Sequence, residues 1–187
     1  ISILGQIGEG ATSVVYKCID TRTKQPLCKK VLKYNKGQTT IKDVQNAMKE
    51  FQVLHNINHP CICKSFYINT AEPIEIISKG EKKKITTVSF YLEFVEYGLE
   101  EVLKNKINNT LKVKIVIEIA HAMKYLHKLG MIHRDLKIEN IMVNSVYETK
   151  LVDFGLVRIS ESLFNGYSFV EESFTKGIGT FAYMSPE

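Results

Sequence analysis

The chain has 187 residues, of which 44% are apolar, 10% aromatic and 24% charged. These values are typical of globular domains and exclude collagen-like, mucin-like and intrinsically disordered chains. The net charge of +5 would attract a polyanion, but it is too small to indicate a nucleic-acid-binding protein. No apolar run approaches the roughly 20 residues that a membrane helix needs. We therefore expect neither a nucleic-acid partner nor a membrane partner.

Four cysteines are present, and their spacing fits no disulfide framework. This predicts a reducing, intracellular compartment, most simply the cytoplasm. Cys61 and Cys63 lack the additional ligands that a structural zinc site requires. The sequence begins with Ile1 rather than Met and shows no signal stretch, so we expect it to start inside a longer gene product.

The first third of the chain is typical of strands. β-branched and aromatic residues at 14–19 precede a polar turn at 20–24, and residues 27–32 predict the next strand. A helix is then predicted over residues 40–54. Residues 40–43 resemble a capping box, and apolar residues follow at spacings of three and four.

The middle of the chain predicts two more strands, near residues 66–70 and 87–92. The polar stretch 71–84 between them is predicted to be a long loop. After Gly98 the pattern becomes helical, and a broad apolar stripe predicts a buried helix; its members are Ile115, Val116, Ile119, Ala122, Met123 and Leu126. Strands early and helices later predict an α+β chain of two lobes.

Residues 8–13 read Gly-Glu-Gly-Ala-Thr-Ser. A Gly-x-Gly loop lets backbone amides approach a phosphate group closely. A dinucleotide-binding fingerprint would need a helix directly after the glycines, but here a strand is predicted. The loop is therefore either an ordinary turn or a flap over phosphates between two antiparallel strands.

A more specific pattern, His-Arg-Asp-Leu-Lys-Ile-Glu-Asn, occupies residues 133–140. Asp135, Lys137 and Asn140 each suit a separate task in phosphoryl transfer. A carboxylate can orient a hydroxyl and take its proton, an ammonium can meet phosphate charge, and an amide oxygen can hold a divalent cation. Residues 153–155, Asp-Phe-Gly, predict a second metal ligand on a mobile hinge.

These motifs, in this order, resemble the serine/threonine-directed branch of the eukaryotic protein kinase family over essentially the whole chain. The resemblance implies a two-lobed, kinase-like α+β fold. A small antiparallel-sheet lobe with one helix would span residues 1–92, and the hinge would be 93–98. The first part of a mainly helical large lobe, with the catalytic loop and activation segment, would span 99–187. Family domains continue past the Ser-Pro-Glu at 185–187, so we expect an incomplete catalytic domain that is poorly active alone.

The implied activity is transfer of the γ-phosphoryl group of Mg-ATP to Ser or Thr hydroxyls on protein substrates. The first alternative is a pseudokinase, a scaffold that binds nucleotide or partners without phosphoryl transfer. The second is a small-molecule phosphotransferase of related fold, which the peptide-docking character of residues 153–187 disfavours. The presence of every key polar residue favours the active kinase.

The resemblance also implies catalytic roles. Asp135 is the catalytic carboxylate, Lys137 stabilises the transferring phosphoryl group, and Asn140 and Asp153 bind the Mg²⁺ ions. Lys29 matches the strand lysine that contacts the nucleotide phosphates. Lys30 is the alternative, because strand alternation aims only one of them into the cleft. Glu50 matches the helix glutamate that pairs with that lysine.

The implied nucleotide site is larger. Its members are Ile7, Gly8, Gly10, Val15, Lys29, Glu93, Val95 and Met142, with Leu92 guarding the back of the pocket. Ser173 and Thr175 are candidate acceptors for an activating kinase or for autophosphorylation, and Thr180, Pro186 and Glu187 match the end of the activation segment.

Three positions depart from the family pattern. Ser13 replaces a third glycine, and Leu27 stands where a small Ala usually lies over adenine, so we expect crowding there. Gly98 stands where the family usually has an acidic residue that binds the ribose, and Glu100 is the candidate to make that contact instead.

Overall fold

The computed structural model describes residues 1–10, 13–33, 45, 47–48, 51–52, 54–78, 81–155, 157–159, 180 and 183, with the backbone alone at 71–87 and 158–159. The chain divides into two compact units. The first comprises Ile1–Asn58 and Lys64–Phe94, and the second comprises His59–Cys63 and Val95–Glu187. The lobe and hinge boundaries derived from the sequence stay a prediction. Five residues of interest lie outside the described residues: Glu50, Ser173, Thr175, Pro186 and Glu187.

The first unit is built on one antiparallel sheet. Its strands are β1 (Ser2–Glu9), β2 (Ser13–Ile19), β3 (Pro26–Leu32), β4 (Ser65–Ser78) and β5 (Glu81–Glu93), in the spatial order β1-β2-β3-β5-β4. The two strands predicted from residues 14–19 and 27–32 are confirmed to within one residue. Helical residues at 45, 47–48, 51–52 and 54 lie within the predicted helix, and the helical backbone extends one residue further, to His55.

The loop predicted at residues 71–84 is wrong. β4 and β5 continue through this stretch and pair as far as Ser78 and Glu81. The polar composition concealed a strand pattern, because β-branched Ile74 and Ile76 alternate with other residues. Pro73 lies within β4 and has no N–H to donate. It is tolerated because β4 is an edge strand of the described sheet.

Directly opposed residues of an antiparallel pair lie on the same face, so the strand register defines two faces. The Lys29 face carries the core cluster of Cys18, Leu27 and Tyr91. The opposite face, the Lys30 face, carries Val88 and Phe90, which pack with the helical residue Ala47 and with Phe51, Leu32, Ile68 and Leu92.

The second unit contains the helices α1 (Leu99–Lys104) and α2 (Asn109–Lys128) and five short strands: β6 (Tyr97–Gly98), β7 (Met131–Ile132), β8 (Ile141–Val143), β9 (Thr149–Leu151) and β10 (Arg158–Ile159). The order β6-β8-β9 forms one sheet, and β7 pairs with β10. Strands that precede helices confirm the predicted α+β class. No helix in the described part of the chain has the length and apolar character needed to cross a membrane.

The helix α2 begins at a side-chain cap and ends at a left-handed glycine. The Asn108 side chain accepts the Leu111 N–H at 2.8 Å, and Gly130 after the helix has φ 67°. Ile115, Ala122 and Leu126 are buried, as the apolar stripe predicts. Val116 is wrongly predicted to be buried, since it is 64% exposed. The buried positions are seven and four residues apart (115, 122, 126), which defines a narrower face than the stripe.

Candidate active site

The polar residues of the predicted catalytic loop meet at Asp135. This loop runs from β7 through the 3-10 turn Ile138–Asn140 into β8. Lys137 Nζ lies 2.8 Å from Asp135 Oδ2. Asn140 Nδ2 donates to the Asp135 backbone oxygen at 2.8 Å and to Oδ2 at 2.9 Å. The structure therefore brings together the three residues that the spacing of the motif singled out.

Thr180 completes this cluster from the far end of the chain. Its hydroxyl donates to Asp135 Oδ1 at 2.7 Å and accepts from Lys137 Nζ at 3.0 Å. The sequence identified Thr180 only as part of the activation segment, and the direct contact with the catalytic carboxylate was missed. No local pattern links residues that lie 45 positions apart; only the family motif could have indicated it.

The contacts fix the charge state of the cluster. Partial burial alone would raise the pKa of Asp135, but hydrogen bonds from Lys137, Thr180 and Asn140 together hold the pKa below its ordinary value. The hydrogen bond to Asp135 raises the pKa of Lys137. Asp135 is therefore an ionised carboxylate near neutral pH. A carboxylate in this state can orient a hydroxyl and accept its proton.

Two residues of the site hold left-handed backbone conformations. Arg134 has φ 64° and Asp153 has φ 59°, a region that non-glycine residues seldom adopt. His133, before Arg134, is 1% exposed, and its ring meets Phe154 edge-on with centroids 5.2 Å apart. Desolvation lowers the pKa of His133, so this histidine is a neutral packing residue that supports both turns.

The two candidate metal ligands, Asn140 and Asp153, lie on segments that are joined by a backbone hydrogen bond. The Val152 N–H donates to the backbone carbonyl oxygen of Asn140 at 2.9 Å. The Asn140 side-chain nitrogen is used by Asp135, which leaves the amide oxygen as the atom for a cation. Asp153 adds a carboxylate. Oxygen donors of this kind suit Mg²⁺. Among the described residues there is no group of three or more His, Cys, Asp or Glu that could hold a metal ion.

The neighbouring lysines of β3 point to opposite faces of the sheet. Lys30 pairs with Val15, so these two residues share one face, whereas Lys29 pairs with Tyr16 on the other. Since Val15 is the predicted adenine contact, the register favours Lys30 over Lys29 as the nucleotide lysine. Cys28, between Leu27 and Lys29, shares the face of Lys30 and Val15. If Val15 contacts adenine as predicted, Leu27 does not crowd the base, because it packs on the opposite face of the sheet.

Lys29 occupies a different environment. It is 5% exposed, and its ammonium lies 5.6 Å from the centroid of the Tyr91 ring. Tyr91 in turn stacks on Tyr67 at 4.5 Å. A cavity of about 390 Å³ opens here; it is lined by Ile1, Ile3, Lys29, Tyr67, Ile68, Asn69 and Tyr91.

The glycine-rich loop leaves β1 and enters β2. Gly8 pairs with Val15, and a Cβ on Gly8 would lie 3.8 Å from the Val15 Cβ. The Gly10 N–H donates to the Ser13 oxygen at 2.9 Å, which closes the turn. Ile7, before Gly8, is 52% exposed. A strand rather than a helix follows the glycines, as expected for a flap.

The predicted hinge begins with a reciprocal contact. The Glu93 N–H donates to the Lys64 oxygen at 2.8 Å, and the Glu93 carboxylate accepts the Lys64 N–H at 3.1 Å. These two contacts join the end of β5 to the residue that precedes β4. In the second unit, Val95 is 6% exposed, and Met142 lies in β8, opposite Gly98.

The two candidates for the ribose contact differ in what they can offer. Gly98 is the N-cap of α1 and supplies no side-chain cap. Glu100 forms an ion pair with Lys104 at 2.9 Å on the surface of the helix.

Comparison with known proteins adds independent findings. The family profile described as "Protein kinase domain" matches residues 1–187. "Ovarian-specific serine/threonine-protein kinase Lok" of Drosophila melanogaster is 28% identical over 97% of this chain and 36% of its own length. "Extracellular signal-regulated kinase 2" of Dictyostelium discoideum is 29% identical over 99% of this chain and 47% of its own. "Cyclin-dependent kinase 12" of Caenorhabditis elegans is 29% identical over 100% of this chain and 24% of its own. The chain thus spans less than half the length of these relatives.

Proposed function

Because the chain belongs to the protein kinase family, whose profile matches it over residues 1–187, we propose that it is an ATP-dependent protein serine/threonine kinase. The observation that carries this proposal is the cluster in which Lys137, Asn140 and Thr180 all contact Asp135. A surface carboxylate would not need three polar partners from two distant segments. The serine/threonine kinases among its relatives support the same substrate class.

The reaction follows from the charge states. Asp135 orients the acceptor Ser or Thr hydroxyl and takes its proton as the hydroxyl oxygen bonds to the γ-phosphorus. The bond between that phosphorus and the bridging β–γ oxygen breaks, and ADP leaves with the electron pair. Lys137 faces the transferring group as a cation. A positioned general base contributes roughly 10²–10⁴-fold, and the remainder comes from orientation and charge stabilisation.

Asn140 and Asp153 are the proposed Mg²⁺ ligands, through the Asn140 amide oxygen and the Asp153 carboxylate. A bound Mg²⁺ offsets negative charge on the phosphates. The left-handed backbone of Asp153 is energetically unfavourable, and strained residues of this kind cluster at ligand-binding sites. This supports Asp153 as a ligand.

Lys30 is the proposed phosphate-binding lysine, although Lys29 was the first choice from the sequence. Lys30 shares a face with Val15 and Cys28, and the same face packs against the helical residue Ala47 and against Phe51. Glu50, which lies outside the described residues, is proposed as the glutamate that pairs with this lysine. Lys29 is reassigned to the opposite face, where it borders the cavity near Tyr91.

The nucleotide base is proposed to contact Ile7, Val15 and Met142. Backbone groups of Glu93 and Val95 are the proposed hydrogen-bonding partners of the base edge. Gly8 and Gly10 would let the backbone of the loop approach the phosphates, because neither residue carries a side chain. The chain's two lobes and its hinge at residues 93–98 remain part of this proposal.

The proposed partners are protein substrates with a Ser or Thr acceptor, and an activating kinase or autophosphorylation at Ser173 or Thr175. We propose that the protein acts in the cytoplasm. None of the four cysteines, all of which lie in the described part of the chain, forms a disulfide bond, which fits a reducing compartment.

The test is transfer of radiolabelled phosphate from Mg-ATP to a generic basic protein by the full natural chain. We expect labelled Ser or Thr with wild type and none above background with Asp135→Ala. The matched pair Lys30→Met and Lys29→Met separates the two lysines. Only Lys30→Met should abolish labelling. Nucleotide binding without transfer by wild type would support the pseudokinase alternative.

A further inference from the structure

A lysine at the end of β3 contacts the glycine-rich loop directly. Lys33 Nζ forms a short ion pair with Glu9 Oε1 and donates to the Gly10 backbone oxygen at 2.9 Å. Gln6 Nε2 donates to the other carboxylate oxygen of Glu9 at 3.2 Å. Both glycine-loop residues that Lys33 contacts follow Gly8, and Gly10 also closes the turn onto Ser13.

This contact has little to offer as a source of stability. The side chains of Lys33 and Glu9 are 36% and 55% exposed, and ion pairs this open to solvent contribute little to stability. Its importance lies in its place. Glu9 stands between Gly8 and Gly10, the two residues proposed to bring the loop backbone close to the nucleotide phosphates. An unpaired carboxylate there would repel a triphosphate.

We propose that Lys33 is a positioning residue for the nucleotide: it holds the Glu9 carboxylate and cancels its charge beside the proposed phosphate-binding loop. The inference rests on the proposed function and goes beyond it, because Lys33 lies outside the motifs that carry the catalytic and nucleotide-binding residues. The hydrogen bonds from Lys33 and Gln6 also lower the pKa of Glu9, so its charge persists throughout the neutral range. A permanent negative charge at this point needs a permanent partner.

Two physical roles for Lys33 make different predictions. If Lys33 neutralises Glu9, then removing both charges leaves no repulsion, and affinity for Mg-ATP returns. If Lys33 instead contacts the phosphates itself, removing Glu9 as well restores nothing. The double variant therefore decides between the two roles of Lys33, because the loss of affinity depends on the Glu9 charge in the first role and is independent of it in the second.

The experiment measures the dissociation constant of Mg-ATP by titration calorimetry, together with kcat and KM, in the full natural chain. The variants are Lys33→Met, Glu9→Gln, the double variant, and Lys33→Arg as the matched control that keeps the cation. We expect Lys33→Met to weaken binding about threefold to tenfold at low salt, with kcat within about twofold. Lys33→Arg and the double variant should bind within about twofold of wild type, whereas Glu9→Gln, which leaves the Lys33 cation without its partner carboxylate, should bind at least as tightly as wild type. The loss should shrink at high ionic strength.

The outcomes separate cleanly. A double variant as weak as Lys33→Met, or a Lys33→Met variant that binds like wild type, overturns the proposal. A fall in kcat with unchanged affinity also contradicts it. Wild type that binds Mg-ATP without transferring phosphate overturns only the proposed kinase activity, since affinity is the readout for Lys33. Wild type that binds no Mg-ATP overturns both.

Discussion

Replacing Thr180 by Val removes a hydroxyl and keeps the shape of the side chain. The structure assigns this hydroxyl two charged partners, since it donates to Asp135 Oδ1 at 2.7 Å and accepts from Lys137 Nζ at 3.0 Å. The Lys137–Asp135 ion pair and the Asn140 hydrogen bond remain. The variant therefore tests how far the orientation of the carboxylate depends on the activation segment.

The magnitude follows from those contacts. A hydrogen bond to a charged group contributes about 1.5–3 kcal/mol. Thr180 is half-buried, so water replaces part of the loss, and the lower end of that range applies. About 1.4 kcal/mol corresponds to a tenfold change in rate. We therefore expect kcat to fall about tenfold in Thr180→Val, with KM for ATP little changed.

The assay is steady-state phosphoryl transfer to a basic protein across a series of pH values, with Thr180→Ser as the matched control. Thr180→Ser keeps the hydroxyl and should stay within about threefold of wild type. Loss of one of the hydrogen bonds that lower the pKa of Asp135 should also move the acidic limb of the Thr180→Val profile to higher pH. A Thr180→Val enzyme with unchanged kcat, an unchanged profile and an unchanged melting temperature would refute the reasoning.

Three further predictions follow from other parts of the structure. Asn108→Ala removes the side-chain cap of α2 and should destabilise the fold by about 0.5–2 kcal/mol; an unchanged midpoint in a urea titration would contradict this. Gly98→Asp should be accommodated, since a Cβ there meets nothing within 4 Å and the residue has φ −71°. The new carboxylate should cap α1 and, if it contacts the ribose, lower the dissociation constant of Mg-ATP. The control Gly98→Ala should leave that dissociation constant unchanged. The pKa of Asp135 lies below its unfolded value of 3.8, so the ionised carboxylate stabilises the fold above pH 3.8, and this contribution is lost as the pH falls through the folded pKa. In denaturant titrations over that acidic range, Asp135→Asn should lose less stability than wild type. Equal losses in the two proteins would count against the cluster.

The catalytic loop could be predicted from the sequence because its residues are local. Asp135, Lys137 and Asn140 lie within six positions, and the 3-10 turn at Ile138–Asn140 folds them back on one another. The contact from Thr180 could not be predicted in this way. It depends on how a segment 45 residues away returns to the loop, which spacing alone does not encode.

The choice between Lys29 and Lys30 shows a different limit. Alternation states that two neighbours face opposite sides but does not say which side either faces. The turn between β2 and β3 decides it. Asp20 exchanges backbone hydrogen bonds with Lys24 and Gln25 at 2.8 and 2.9 Å, and Lys24 takes φ 61°. This turn sets the register, and shortening or lengthening it by one residue would exchange the two lysines.

The errors outside the site have related causes. The lysines and glutamates at 71–84 are typical of a solvated loop, and they hide the β-branched residues Ile74, Ile76 and Ile77, which favour a strand. Val116 was placed in the core because the apolar stripe of α2 was assumed to be buried across its full width. In both cases the residue types alone do not determine which residues pair in a sheet or are buried.

The proline in β4 has a consequence for solubility. β4 is 14 residues long and lies at the edge of the described sheet, so it offers a long row of backbone groups to which another chain could add a strand. Pro73 interrupts that row because it lacks an N–H, and the pairing with β5 shifts register between Asn69 and Glu72, directly before it. A bent edge with a missing donor is a poor template for intermolecular pairing. One residue that contributes nothing to phosphoryl transfer thus helps to keep the chain from aggregating.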